Sequence, residues 1–202
     1  MKKILFAIAS AFVAMGATAS NVEKIQFANA GDFSLGIMVG VPPHSDANMP
    51  TVSVDGMWGL KDGFINTKTF GQNGAIDLGA YVGFCQYGSS NDYNKLSLWE
   101  LPIAVRCGFH WEFVKKLDVY AGFQGGVAVC HSMYKDKVAD VKNTDNDADG
   151  IFGMYLGAKW MFTDAFGVKL EYSGDWINGS NEHGDRWGVN LPPVAAGVTF
   201  NF

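Results

Sequence analysis

After its first twenty residues this 202-residue chain has no apolar run long enough to cross a bilayer as a helix. Basic charge is scarce too. Lys and Arg total 15 against 20 Asp and Glu, a formal net charge of −5, and no basic patch offers a footprint for nucleic acid. Cysteine is confined to Cys85, Cys107 and Cys130. An odd number spread through apolar runs is not a disulfide framework, so these read as buried or lipid-facing thiols. What the chain does have is glycine, 25 residues, and aromatics at 14%. That mixture suits many strands joined by turns.

The chain opens with Lys2 and Lys3, then an apolar stretch from Ile4 to Gly16 broken only by Ser10, then Ala17-Thr18-Ala19. This is the pattern of a cleaved export signal. A spanning N-terminal anchor is the weaker reading, because it needs roughly 20 apolar residues. The expected organisation is a cleaved signal peptide over 1–19, a short N-terminal segment over 20–32, and one β-barrel domain over 33–202.

Alternation with period two recurs about eight times. In 33–41, Phe33, Leu35, Ile37, Val39 and Val41 oppose Ser34, Gly36, Met38 and Gly40. In 51–60, Val52, Val54, Trp58 and Leu60 oppose Thr51, Ser53, Asp55 and Met57. In 75–86, Ile76, Leu78, Val82 and Phe84 oppose Asp77, Gly79, Tyr81 and Gly83. The clearest run is 97–113, where Trp99, Leu101, Ile103, Val105, Cys107, Phe109, Trp111 and Phe113 face away from Glu100, Arg106, His110 and Glu112. No helix could sort these residues so cleanly. Runs at 117–130, 152–162, 168–176 and 194–202 repeat the scheme. The polar sides there carry Asp118, Tyr120, Gln124 and Cys130, then Tyr155 and Lys159, then Lys169, Glu171 and Asp175.

The connections alternate in length. Residues 114–116 and 163–165 are tight turns, whereas 88–95, 135–150 and 177–190 are polar and rich in Gly, Asn and Asp. Short turns at one end and long loops at the other is the outer-membrane barrel pattern. Residues 61–74 fit badly, being too long for a short turn. They are either a decorated turn or a misplaced strand boundary.

A soluble barrel and a membrane barrel share this alternation but face it in opposite directions. The mixed-sign polar set favours a charged interior. Asp77 can lie opposite or diagonal to Arg106, and Lys159 to Glu171, depending on register. Aromatics on the apolar faces gather by height: Trp58, Trp111, Phe113, Trp160, Phe162, Phe200 and Phe202 near one edge, and Phe84, Trp99, Phe152 and Trp176 near the other. Two girdles are what two membrane–water interfaces produce.

Three segments carry a family resemblance. The terminal Val198-Thr-Phe-Asn-Phe202 resembles the signal by which the barrel assembly machinery recognises its substrates. The stretch 98–106, Leu-Trp-Glu-Leu-Pro-Ile-Ala-Val-Arg, is similar to a strand of PorT-like outer-membrane barrels. Residues 153–173 resemble the sixth–seventh hairpin shared by that family and the small OmpX-type and OmpA-type barrels. The resemblance implies an eight-stranded antiparallel up-and-down transmembrane β-barrel in the bacterial outer membrane. Its implied partners are outer-membrane lipids, the assembly machinery through Phe202, and an extracellular partner through the long loops.

No catalytic, cofactor-binding or metal-binding residue is assigned from the sequence. The strongest motif is Asp145-Asn146-Asp147-Ala148-Asp149-Gly150, which matches the opening of a calcium loop. The closing acid should fall at position twelve, where Leu156 stands, so a solvated acidic turn is the favoured reading. His131-Ser132 could serve a lipid hydrolase, but adjacent strand residues point to opposite faces. His110 reads as a hydrogen-bonded filler among carboxylates, and His183 sits in a loop with Glu182 and Asp185. Eight strands leave an interior just wide enough for side chains to fill, which favours a plugged, non-enzymatic barrel over a narrow conduit for small or hydrophobic solutes.

Overall fold

The structure, a computed structural model, describes residues 27–41, 49–67, 71–175 and 193–202. The chain forms β1 (Phe33–Gly40), β2 (Thr51–Thr67), β3 (Gly71–Ser90), β4 (Asn94–Val114), β5 (Leu117–Asp136), β6 (Val141–Met161), β7 (Phe166–Asp175) and β8 (Val194–Asn201). Each strand pairs antiparallel with its sequence neighbour, and β1 closes on β8 with Ile37 opposite Val198. Closure removes the exposed edges that an open sheet of this kind would leave.

The alternation resolves into an apolar outside and a polar inside. Ile37, Val54, Leu78, Ile103, Val105, Phe123, Leu156 and Leu170 are exposed, while Asp55, Asp77, Arg106, Asp118, Lys159, Lys169 and Glu171 are buried in the lumen. Burying charge is unfavourable unless each charge finds a partner, so this inversion only works if the interior is paired throughout. An apolar layer of Met38, Tyr81, Ala104, Ala128, Ile151 and Ala195 occupies lumen positions toward the end away from Phe202. The end of the barrel carrying Phe202 is its near end and the opposite one its far end.

At the near end the aromatics touch one another around the rim. Phe33 lies 6.3 Å from both Trp58 and Phe202, Phe166 bridges Phe162 (5.9 Å) and Phe200 (5.4 Å), and Phe109 bridges Phe64 (5.5 Å) and Trp111 (6.3 Å). The far-end set is sparser, with Phe84, Trp99 and Phe152. The side chain of Phe113 and all of Trp176 lie outside the described residues.

The expected long loops differ from what the chain forms. Residues 88–95 and 135–150 are mostly strand: Asn94 lies opposite Asp136, and Asp136 opposite Val141. The hairpins β3–β4 and β5–β6 therefore continue beyond the described ends of the other strands as a projecting four-stranded sheet. Only short turns remain at its tips. Asn91 Oδ1 accepts from the backbone N–H of Tyr93 and Asn94, and Asp136 Oδ1 from those of Val138 and Ala139. Asp140 turns the chain at φ 51°, a left-handed conformation that Asp tolerates. The third expected loop, 177–190, lies outside the described residues.

The misfit at 61–74 is a misplaced boundary. β2 and β3 go on pairing down to Thr67 and Gly71, with irregularities between Gly59 and Lys61 and between Asp62 and Ile65. Those bulges break the sequence alternation that marks a strand, which is why the extension reads as loop.

Candidate functional site

The lumen holds the chain's densest chemistry, and it is built around Arg106 on β4. Its Nε donates to Gln124 Oε1 at 2.9 Å, Nη1 to Asp55 Oδ2 at 3.4 Å and to Glu171 Oε2 at 3.2 Å, and Nη2 lies 2.9 Å from Glu171 Oε1. The guanidinium is also sandwiched, 4.2 Å from the ring centre of Tyr81 and 4.5 Å from that of Tyr155. At 1% exposure it is the largest fully buried side chain in the described structure. A planar guanidinium suits this role because it can bridge several acceptors while its faces stack on rings.

Lys169 on β7 donates to Asp55 Oδ2 and lies 3.7 Å from Glu171. Tyr120 OH donates to Glu171 Oε2 at 3.1 Å. Toward the near end, His110 stands between two carboxylates: Nδ1 is 2.7 Å from Asp118 Oδ2, and Nε2 is 2.6 Å from Asp77 Oδ2. A doubly protonated ring satisfies both contacts by donating from each nitrogen. Lys159 lies 3.7 Å from Asp118. Asp55, Asp77, Asp118 and Glu171 thus face Arg106, Lys159, Lys169 and His110, and Glu100 and Glu112 are two further acids buried on the lumen side.

The tyrosines that line this network need glycine beside them. Tyr120 lies opposite Gly157 and Tyr155 opposite Gly122. A Cβ at Gly157 would meet the Tyr120 ring at 2.4 Å, and one at Gly122 the Tyr155 ring at 2.6 Å. The flat rings lie over bare backbone where a side chain would otherwise stand.

The register places Asp77 diagonal to Arg106 and Lys159 diagonal to Glu171, within the expected alternatives, but the ion pairs form elsewhere. Asp77 lies opposite Gly108, two positions from Arg106, and engages His110. Arg106 reaches across the lumen to β2 and β7, and Lys159 pairs with Asp118 rather than Glu171. Side chains this long span an eight-stranded lumen, so their partners are set by barrel closure as well as by the nearest ladder.

No periodicity or motif marks the residues packed at the near end. Phe27 and Ala28 are buried at 4% and 7% exposure, with Ala28 packed on Ala75. The chain then turns through Gly31 at φ 94° and is latched to β2: Gly31 N–H donates to Gly59 O at 2.8 Å, and Gly59 N–H to Asp32 O at 2.9 Å. Asp32 Oδ2 accepts from the backbone and side-chain nitrogens of Asn29. Phe27 thereby lines the same near-end space as Asp77 and Lys159. A space beside it and another beside His110 and Tyr155 have room of about 10 Å³ each, roughly one water sphere. Gly59→Val should spring this latch, because even a Cβ there falls 2.0 Å from Asn29 O. The expected result is faster proteolytic trimming of residues 27–32 from a barrel that stays folded. Trimming at the wild-type rate would show that the latch does not hold these residues.

The remaining candidates separate. Asp145, Asp147 and Asp149 lie within β6, paired opposite Ser132, Cys130 and Ala128. An extended strand spaces alternate residues about 7 Å apart, so these acids do not wrap one cation as a loop would. Among the described residues no group of three or more His, Cys, Asp or Glu side chains is arranged to hold a metal. His131 faces outward, stacked on Trp99 at 5.4 Å with Nδ1 2.6 Å from Asn146 Oδ1, while Ser132 belongs to the opposite face. Cys85 is buried, with Sγ 3.3 Å from Tyr87 OH and 3.5 Å from Glu100 Oε2; Cys130 is half-buried and Cys107 exposed. His183, Glu182 and Asp185 lie outside the described residues.

No family model and no curated protein matches this chain. Among solved structures it is similar to Neisserial surface protein A, at 11% identity and a TM-score of 0.45, covering 85% of this chain and 95% of that one. It is also similar to the outer membrane protein OprG from Pseudomonas aeruginosa, at 14% identity and a TM-score of 0.45, over 88% and 99% of the two chains. A third is Ail, the attachment invasion locus protein of Yersinia pestis, at 10% identity and a TM-score of 0.42, over 86% and 99%.

Proposed function

We propose that this chain is a small, non-enzymatic barrel of the bacterial outer membrane whose filled lumen makes it a scaffold for envelope structure or surface interaction. The observation that supports this reading is the inverted burial: a hydrocarbon-compatible belt outside, and a matched set of charges around Arg106 inside. Such a belt leaves unfavourable apolar surface in water and is satisfied in lipid. Charges held against one another do not offer a selective pore, and the lumen is further obstructed by the apolar layer on one side and Phe27 on the other.

The surface role falls to the projecting sheet of β3–β6, which stands where loops are expected at 88–95 and 135–150. Its tips are tied together: Lys137 N–H donates to Tyr93 O at 2.7 Å and Tyr134 OH to Asn94 Oδ1 at 2.8 Å. A tied sheet presents a preorganised surface, which lowers the ordering cost of binding a partner. The final strand, ending on exposed Phe202, is the segment that the assembly machinery would engage.

The test is electrical. Reconstituted in planar bilayers, the protein should give no sustained single-channel conductance, and in liposomes no solute uptake. Stable conductance whose ion selectivity shifts in Arg106→Ala would overturn the scaffold reading and establish a conduit.

A further inference from the structure

We propose that Lys95, Lys135 and Lys142 form a binding row for the phosphate groups of anionic glycolipids in the leaflet around the barrel's far end. This rests on the membrane reading above. The row is a product of register: Lys95 lies opposite Lys135, and Lys135 opposite Lys142. All three fall on the outward face of their strands, in step with Trp99, His131 and Asn146.

Like charges directly opposite one another destabilise a sheet. Three in one row, on a chain of net charge −5, is an unfavourable arrangement unless an anion sits against it. The protein supplies little of that anion. Lys135 pairs with Asp140 at 3.0 Å in an exposed contact at the hairpin tip, and among the described residues Lys95 and Lys142 have no ion-pair partner. Lys137 is engaged elsewhere, donating to Ser90 Oγ and Asn91 O.

The height of the row identifies the anion. Outward-facing positions follow one another toward the far end in cross-strand rows. Leu101, Val129 and Ala148 come first, then Trp99, His131 and Asn146, then Ser97, Met133 and Thr144, then the lysines. That order runs from apolar, through the amphipathic stacked pair of Trp99 and His131, to the mixed row of two hydroxyls and Met133, to cations. It follows the order of hydrocarbon, interface and headgroup phosphate in a leaflet. Four residues separate Trp99 from Lys95, which is about 10 Å along the normal for a strand tilted as in such barrels. Neighbouring strands hold the lysine stems about 5 Å apart, so adjacent ammonium groups can converge on one phosphate. Lys115 and Lys116, in the near-end turn, form no such row; Lys116 Nζ donates to Phe162 O at 3.0 Å.

The test titrates fluorescent bisphosphorylated lipid A into the folded full chain in neutral detergent micelles. A lysine near an anionic surface contributes about 1 kcal/mol, or roughly fivefold in affinity. Lys95→Gln, Lys135→Gln and Lys142→Gln should each weaken binding by about that factor, and the triple variant on the order of a hundredfold. The triple variant should keep the heat-sensitive gel shift of a folded barrel, since all three side chains lie outside the lumen. Paired Lys115→Gln and Lys116→Gln should change nothing, and dephosphorylated glycolipid should bind poorly. Undiminished binding by the folded triple variant would overturn the proposal. Equal loss in the Lys115/Lys116 variant would do so as well, by reducing the effect to bulk charge. Full displacement by equimolar inorganic phosphate would overturn the lipid as the source of the anion. Failure of the wild type to insert into zwitterionic bilayers would instead sink the membrane reading itself.

Discussion

Arg106→Ala should cost the folded barrel about 3–5 kcal/mol, the range expected when one partner of a buried ion pair is removed. The loss does not come chiefly from missing attraction. It comes from Asp55 and Glu171, which are buried at 3% exposure each and would lose the guanidinium that lies between them. Lys169 contacts both acids and offsets part of the loss, so the lower end of the range is the firmer expectation. Arg106→Lys keeps the charge but cannot span Gln124, Asp55 and Glu171 together or stack between Tyr81 and Tyr155, so it should fall between the two. Adding Glu171→Gln to Arg106→Ala should recover part of the stability, because it removes one stranded anion. Urea titration of the folded fraction in micelles, followed by the heat-sensitive gel shift, reads all four proteins. A midpoint unmoved in Arg106→Ala would mean that water, not the guanidinium, balances these acids.

The strands were legible because period two is a local signal. Residues 97–113 sort cleanly into two faces, and β4 holds that sorting along its length. The charged interior was legible from the same alternation, since every acid and base set on the polar side and described here is buried there, including Glu100, Arg106, His110 and Glu112. Partner choice was not legible. Arg106 finds Asp55 and Glu171 on strands that are not its neighbours, and nothing in a linear pattern states how far a guanidinium reaches across a closed lumen. The projecting sheet was hidden for a different reason. Beyond the apolar belt, both sides of Asn94–Ser97 and Val141–Asp149 are polar or mixed, so ladder hydrogen bonds persist without the contrast that marks a strand. The calcium-like spacing at Asp145–Gly150 misled in the same way, because a turn motif and a polar strand can share residues. Phe27 and Ala28 carry no periodicity at all, and only the Gly59 latch reveals why they are buried.

Val105→Arg should be the most damaging change on the outer surface, at about 2–4 kcal/mol for a cation near the middle of the hydrocarbon. Val105 is 59% exposed, lies opposite Ala80 and Gly125, and is flanked along its face by Ile103 and Cys107. It has neither a nearby acid nor an end of the belt to which an arginine could extend. Val138 is more exposed still, at 76%, but it sits in the turn after β5. Val138→Arg should therefore be nearly silent. Both substitutions replace an exposed valine with the same cation, so exposure to solvent cannot separate them. Only the medium each side chain meets can. Measured as folded, inserted yield in bilayers, the two variants should differ sharply. In micelles thinned by short-chain detergent the gap should narrow as water reaches the belt. If both arginines were tolerated equally, the apolar belt would be facing water, and the barrel would belong to the soluble class that its alternation alone also permits.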